Sequence, residues 1–466
     1  KVKRIISQKK NNINEIDFFD DLILSDRLVF NIEKLIKKND KNNILIITNR
    51  LHSADIAELI EKIRPELRIK LCNILKDSLK PEVLSKLDDT TLDLVIKIIG
   101  SDQTAEALED LDTDEVIEVL DDLDSNTQHE LLSKMDKNER ILIQESLNYP
   151  EYSAGRLMQR DHLSIPTSWS VGNVIDFLRD ETNLPSKFYE LIIINSVYRP
   201  IGIVPLNLIL RSQRHIIISE IMEPIRVLIN ADMDQEEVAY IFQQYDLVSA
   251  PVVDTSNKLI GVIMHDDIVD VITEEADDDM LRLARAGEAG INDTFFVVTK
   301  NRFIWLLVNL MTAIIASYII YLFDGTIEQL VALAVLMPIV ASMGGNAGTQ
   351  TLTVTVRAIA SKNITYSNAF RFINKEILIA LFNGIIFAFI ISIGSWLWFS
   401  NLDLSIVLFT AMIINMLAAG VSGIIIPLLL HRFGADPALA ATVFVTTVTD
   451  VIGFFAFLGL AAWALI

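Results

Sequence analysis

The sequence predicts four parts in series: an all-α superhelical N-terminal domain, an α/β tandem repeat, a long connecting helix and a five-helix transmembrane domain. Three observations predict this order. Charge is divided unevenly: residues 301–466 hold six acids and six bases, so the whole net charge of −21 falls on the first 300 residues. Hydropathy divides at the same place, because five apolar stretches follow residue 300, each long enough to cross a bilayer, which takes ~20 residues. The acidic part also changes rhythm near residue 157, from short capped helices to alternating strand and helix. An acidic soluble part argues against nucleic acid as a partner and in favour of cations.

Residues 1–150 are expected to form the acidic helical domain. Residues 1–50 mix Lys/Asn-rich stretches with apolar clusters such as Ile44-Leu45-Ile46-Ile47 and read as short helices. From about Ser53 to Leu147, segments opening at Ser53, Pro81, Thr104, Thr113 and Gln128 repeat one pattern. Each has a cap or Pro, then acids, then Leu/Ile at helical spacing, which reads as a stack of helix pairs. Residues 98–133 contain no Lys or Arg, and eleven acids lie between Asp102 and Asp124. The plain reading is a solvated face; the functional one is a surface that repels its neighbours until divalent ions screen it. The single Cys72 cannot form an internal disulfide, which suits a reducing cytoplasm.

Residues 157–215 and 216–272 read as two copies of one unit. Each copy opens on Met and a polar step (Met158-Gln159; Met222-Glu223). A helix follows (Val171–Arg179; Gln235–Gln244), then an apolar strand, a turn, and a second strand carrying Ile201-Gly202-Ile203 or Ile260-Gly261-Val262. The unit resembles a tandem pair of CBS domains. Such pairs often bind adenosine nucleotides such as ATP through four ribose-contacting positions. Here Pro205, Leu208, Met264 and Asp267 occupy them, and only Asp267 matches, which argues against a nucleotide.

Residues 273–300 connect the two halves, with Thr273–Ala289 expected to be one helix. Its acids come first (Glu274, Glu275, Asp277, Asp278, Asp279) and its bases last (Arg282, Arg285), which suits the helix dipole. The five spans are expected at about 302–323, 328–358, 376–399, 404–430 and 438–466. Bases cluster at Lys300 and Arg302, at Arg357, Lys362, Arg371 and Lys375, and at Arg432, while the other two connections hold none. The positive-inside rule then puts residues 1–300 in the cytoplasm and the C-terminus outside the plasma membrane.

The last span carries Asp450, with no Lys or Arg in the stretch to pair with it. A carboxylate at that depth costs at least ~2.5 kcal/mol, so it marks a cation or a watery path. Thr446, Thr447 and Thr449 flank it. The second span holds Gly344, Gly345, Asn346 and Gly348, read either as close helix packing or as pore-lining positions with room for a hydrated ion. One carboxylate with hydroxyls and carbonyls suits Mg²⁺, which keeps most of its waters. The sequence offers no phosphate loop and no nucleophile–base set, so no enzyme is expected.

Ser153-Ala-Gly-Arg-Leu-Met158, the CBS-like pair, Gly344-Gly-Asn-Ala-Gly-Thr-Gln350 and the run from Gly434-Ala-Asp-Pro to Thr446-Thr-Val-Thr-Asp450 occur in that order. The combination resembles the MgtE family of magnesium transporters or channels, over nearly the whole chain from about residue 50. The resemblance implies a homodimer with the pore on its axis and Asp450 holding hydrated Mg²⁺. It also implies closure by cytoplasmic Mg²⁺ at Glu275, Asp278 and Asp279 of the connecting, or plug, helix. Asp436 would stand at the pore mouth, with N-domain ligands among Asp110, Asp112, Asp114, Glu115, Glu118, Asp121 and Asp122. The alternatives are a channel for Mn²⁺ or Co²⁺ and a non-conducting, membrane-anchored CBS sensor. One departure is Ala441-Thr442-Val443, where the family commonly has a Pro-containing step, so the fifth helix is expected to be less kinked.

Overall fold

The computed structural model describes residues 24–181, 184–185, 187–284, 295–364, 368–433 and 435–465. They fall into two units, residues 1–273 and 274–466.

In the first unit, side-chain caps and Pro set the helix starts. The helices are α1 (Asp26–Lys37), α2 (Lys41–Thr48), α3 (Ser53–Lys62), α4 (Pro65–Leu75), α5 (Asp89–Ile99), α6 (Ser101–Glu109), α7 (Thr113–Asp121), α8 (Ser125–Lys134) and α9 (Lys137–Leu147). Ser25, Asp40, Asp88, Asp124 and Asp136 each accept from a backbone N–H of the helix that follows. Each bond satisfies a donor that the helix cannot satisfy itself. One continuous apolar core runs from Leu24 to Ile143. Two expected starts move. The helix expected to open at Thr104 begins at Ser101, and the one expected at Gln128 begins at Ser125, capped by Asp124. Pro81–Lys86 is a 3₁₀ turn.

The tandem repeat follows: α10 (Ala154–Leu157), β1 (Ser164–Pro166), α11 (Val171–Asp180), β2 (Glu190–Ile194), β3 (Pro200–Pro205), α12 (Leu206–Arg211), α13 (Ile218–Ile221), β4 (Glu223–Pro224), β5 (Ile229–Asn230), α14 (Gln235–Tyr245), β6 (Ser249–Val253) and β7 (Leu259–Met264). One sheet runs β1-β2-β3-β4 and the other β5-β6-β7. The copies exchange their opening steps. β4 pairs antiparallel with β3, and in the mirrored position Gln159 bridges Val262 of β7. Met222 lies over Gly202 and Met158 over Gly261, where a Cβ would meet sulfur at 2.8 and 2.7 Å. The repeated glycines therefore make room for the exchange. Accordingly, Ala154 and Met158 sit in the core of the second copy, whereas Ile221 and Met222 pack on that of the first. Each copy's opening step thus packs on the core of the other copy.

α15 runs unbroken from His265 to Ala284. The helix expected to start at Thr273 is thus the continuation of the helix that closes the second copy, because no Gly or Pro separates the two. Its expected end, with Arg285, Gly287 and Gly290, lies outside the described residues.

In the second unit, α16 (Phe295–Tyr321), α17 (Asp324–Gln329), α18 (Ala332–Ala360), α19 (Ala369–Phe399), α20 (Leu402–Arg432) and α21 (Pro437–Ala464) follow. Among the described residues five helices are long and apolar enough to cross a membrane: α16 and α18 to α21. α19 starts seven residues before the expected 376, because the turn with Arg371, Lys375 and Glu376 continues the helix beyond its apolar stretch. α20 packs against α18, α19 and α21, and α16 packs on α21. α21 continues unbroken through Ala441-Thr442-Val443.

Candidate functional site

Asp450 lies halfway along α21 and is partly exposed. Its carboxylate makes no hydrogen bond or ion pair among the described residues. The flanking hydroxyls are differently engaged. Thr446 donates to the Thr442 carbonyl, Thr447 to Val443 and Thr449 to Thr446 at 2.7–2.9 Å. Thr449 is fully buried, and Thr446 and Thr447 are partly exposed. A hydroxyl that donates to its own helix keeps lone pairs for a hydrated cation, which leaves Thr446 and Thr447 able to line a path; Thr449, expected beside them, is instead packed inside the bundle against Gly348.

The glycine-rich stretch of α18 splits by face. Gly344 packs against Asn415 of α20, and a Cβ there would sit 2.3 Å from the amide nitrogen. Gly348 packs against Val445 and Thr449 of α21. Both glycines are packing positions inside the bundle, so of the two readings the sequence left open, close packing holds for them and the pore-lining one does not. Gly345 has nothing within 4 Å of its Cβ position, and Asn346, Thr349 and Gln350 are exposed on the same open side of α18. The signal for the split was the four-residue spacing of Gly344 and Gly348, which puts both on one helix face.

Asp436 gathers with three other acids and one base. Asp436 caps α21, its Oδ1 accepting from the Ala438 N–H at 2.7 Å. Its Oδ2 accepts from Arg282 Nη1 at 2.8 Å, and Arg282 Nη2 also donates to Asp278 at 3.2 Å. Glu275, Asp278, Asp279 and Arg282 recur at helical spacing on α15, so one face carries them all. Burial, then the charges of Asp436 and Glu275, holds the Asp279 carboxyl above the usual carboxylate range, and Arg282 pulls the other way. Next to Arg282, Leu283 packs against the buried cluster of Leu352, Val356, Ala438, Ala441 and Val445. Sequence reading saw in Arg282 only a complement to the helix dipole and missed it as a partner of Asp436.

A second acidic edge lies within the first unit. Asp114 on α7 is buried, accepts from Gln159 at 3.3 Å, and leaves Oδ1 without a hydrogen-bond partner among the described residues. It faces Asp267 at the start of α15, whose Oδ2 accepts from the Met264 N–H at 3.1 Å. Burial first raises both carboxyls; the charges of Asp112 and Glu115 add to it at Asp114, and those of Asp114 and Asp266 at Asp267. Asp267, the one match to the ribose-binding pattern, is thereby engaged with Met264 and Asp114. Glu118 stands near Lys86 and Asp270, and surrounding protein pushes it up to about 7 against the pull of Lys86. Asp110 is exposed at the end of α6, near Glu139. Lys86 pairs with Asp270 at 3.0 Å and Lys187 with Asp266 at 3.1 Å. The sequence reading missed Asp266, Asp267 and Asp270 as part of this edge, although an acid pair opening the helix after the second Gly-containing strand was the available signal. Among the described residues no three acids, His or Cys converge tightly enough to hold a bare ion.

Comparison with known proteins agrees along the length of the chain. Residues 337–460 match the MgtE divalent cation transporter family, residues 51–152 the MgtE intracellular N domain, and residues 218–274 a CBS domain. The magnesium transporter MgtE of Bacillus subtilis is 30% identical over 444 residues, 94% of this chain and 97% of the relative. The magnesium transporter MgtE of Thermus thermophilus is 26% identical over 449 residues, covering 94% and 98%. A solved cytosolic domain of the Mg²⁺ channel MgtE in complex with ATP aligns with 52% of this chain and all of its own, at 26% identity and a TM-score of 0.49.

Proposed function

Because the chain belongs to the MgtE family of divalent cation transporters, we propose that it carries Mg²⁺ into the cytoplasm along a path lined by Asp450. The observation that carries this reading is the Asp450 carboxylate, placed mid-helix in a membrane span with no partner among the described residues. Such a charge is retained at a cost, and a passing cation offsets that cost. One carboxylate, doubled across a homodimer, holds a Mg²⁺ that keeps its waters; Asn346 and the Thr446 and Thr447 oxygens contact those waters. Hard oxygen donors without thiolate or imidazole favour Mg²⁺ over softer metals.

The orientation is supported from both ends of the helices. Lys300, Arg302, Arg357, Lys362, Arg371, Lys375 and Arg432 lie at one set of ends. Exposed Tyr318, Tyr321, Trp396, Trp398 and Trp463 lie at the other. Bases favour the cytoplasmic side, and Tyr and Trp favour an interface.

Closure follows from charge. Cytoplasmic Mg²⁺ gathers at Glu275, Asp278, Asp279 and Asp436, and at Asp110, Asp114 and Glu118 with Asp267 and Asp270. It relieves repulsion that otherwise splays these elements. The test is Mg²⁺ uptake into liposomes by the wild type and Asp450→Asn at several internal Mg²⁺ concentrations. The expected result is uptake that falls as internal Mg²⁺ rises and is lost, by about a hundredfold or more, in the variant. Uptake that survives Asp450→Asn refutes the path, and absence of uptake under every condition favours a sensor.

A further inference from the structure

Asn415 sits in the interior of α20, fully buried in the bundle. Its Nδ2 donates to the Val340 carbonyl of α18 at 2.7 Å, and its Oδ1 has no hydrogen-bond partner among the described residues. The amide is wedged between glycines of two other helices. A Cβ added to Gly344 of α18 would lie 2.3 Å from Nδ2, and one added to Gly453 of α21 would lie 2.8 Å from it. An amide oxygen left unsatisfied in such a place is destabilising. A Leu of similar shape would fill the site without that penalty, so bundle stability alone does not account for Asn.

The position of the wedge supplies another account. Gly344 is two residues before Asn346, and Gly453 is three residues after Asp450, within one helical turn. The two helices that meet on the Asn415 amide are thus the two that present the polar residues of the proposed path. Mg²⁺ holds its oxygens, here those of its own waters, at about 2.0–2.1 Å and Ca²⁺ at about 2.3–2.6 Å, so the hydrated ions differ in radius by a few tenths of an ångström and the wall separation discriminates between them.

We propose that Asn415 is a positioning residue for the transported cation, fixing the separation and register of α18 and α21 and so setting which divalent cations are accepted. This rests on the Asp450 path. The readout is the ratio of Mg²⁺ to Ca²⁺ uptake in liposomes, each normalised to folded protein, for the wild type, Asn415→Leu and Gly453→Ala. Asn415→Leu keeps the shape and removes the amide; Gly453→Ala presses on the same amide from the other side. The expected result is a change in the ratio of about fivefold or more in both variants, equivalent to about 1 kcal/mol of discrimination. A merely structural role lowers both fluxes together, and an unchanged ratio in either folded variant overturns the proposal. Should Asn415→Leu not fold, Gly453→Ala decides alone. Asp450→Asn separates the two levels. If it abolishes uptake while the ratios stay fixed, only the positioning role fails; if uptake survives it, the path itself fails.

Discussion

Arg282 Nη1 donates to Asp436 Oδ2 at 2.8 Å, so a base of the connecting helix covers the acid that caps the last membrane helix. The same guanidinium reaches Asp278. It therefore offsets part of the repulsion among Glu275, Asp278, Asp279 and Asp436 before any divalent ion is present.

Arg282→Gln removes that cation and leaves the acids opposed. A partly exposed ion pair is worth up to ~1 kcal/mol, about a fivefold change in an equilibrium. The proposed closure should then require several-fold more cytoplasmic Mg²⁺, with greater uptake at low Mg²⁺. Liposome uptake against internal Mg²⁺ measures it; superimposable curves for wild type and variant would remove Arg282 from the gate.

How far the fold could be read in advance depended on the physics of each part. The membrane spans were legible because a bilayer imposes a length and a polarity that few other environments demand, and Asp450 stood out against that background. The exchange of Met158 and Met222 between the two copies was not legible, because pairing between copies leaves no local period. The Arg282–Asp436 pair was hidden for a related reason: 154 residues separate its members, and a base near a helix C-terminus already has a local explanation. Gly344 and Gly348 were visible but ambiguous. Small residues serve close packing and ion access equally well, and only the side chains opposite them decide.

Gly348→Ala tests that decision. Its new Cβ would lie 2.6 Å from Val445 Cγ1 and 3.6 Å from Thr449 Cγ2. Overpacking of this kind costs ~1–3 kcal/mol, so thermal stability in detergent should fall by several degrees. Trimming the opposing methyls with Val445→Ala should recover part of the loss, giving a favourable coupling energy in the double-mutant cycle. Strictly additive effects would return Gly348 to the pore-lining reading.

The Asp114–Asp267 pair predicts a pH dependence whose sign is fixed by the direction of its shifts. Burial raises both carboxyls above the usual range, and the Asp114 charge raises Asp267 further. The unfolded chain releases these protons near pH ~3.9; the folded protein holds at least one of them to higher pH. The folded state therefore binds more protons over that interval, and stability must fall as pH rises through it. The contact between α7 and the start of α15 is firm in acid and weakens as the second carboxyl ionises. Raising pH from 5 to 8 in chelator should lower the melting temperature of the soluble unit by a few degrees, at about 2–4 °C per kcal/mol for a domain of this size. Asp114→Asn removes one of the two charges and should flatten the dependence. Mg²⁺ supplied at pH 8 takes over from the missing proton and should restore the melting temperature in the wild type far more than in the variant. A melting temperature that rises from pH 5 to 8 in chelator, or equal rescue of both proteins by Mg²⁺, would show that this pair is neither the proton-holding nor the cation-responsive element of the acidic edge.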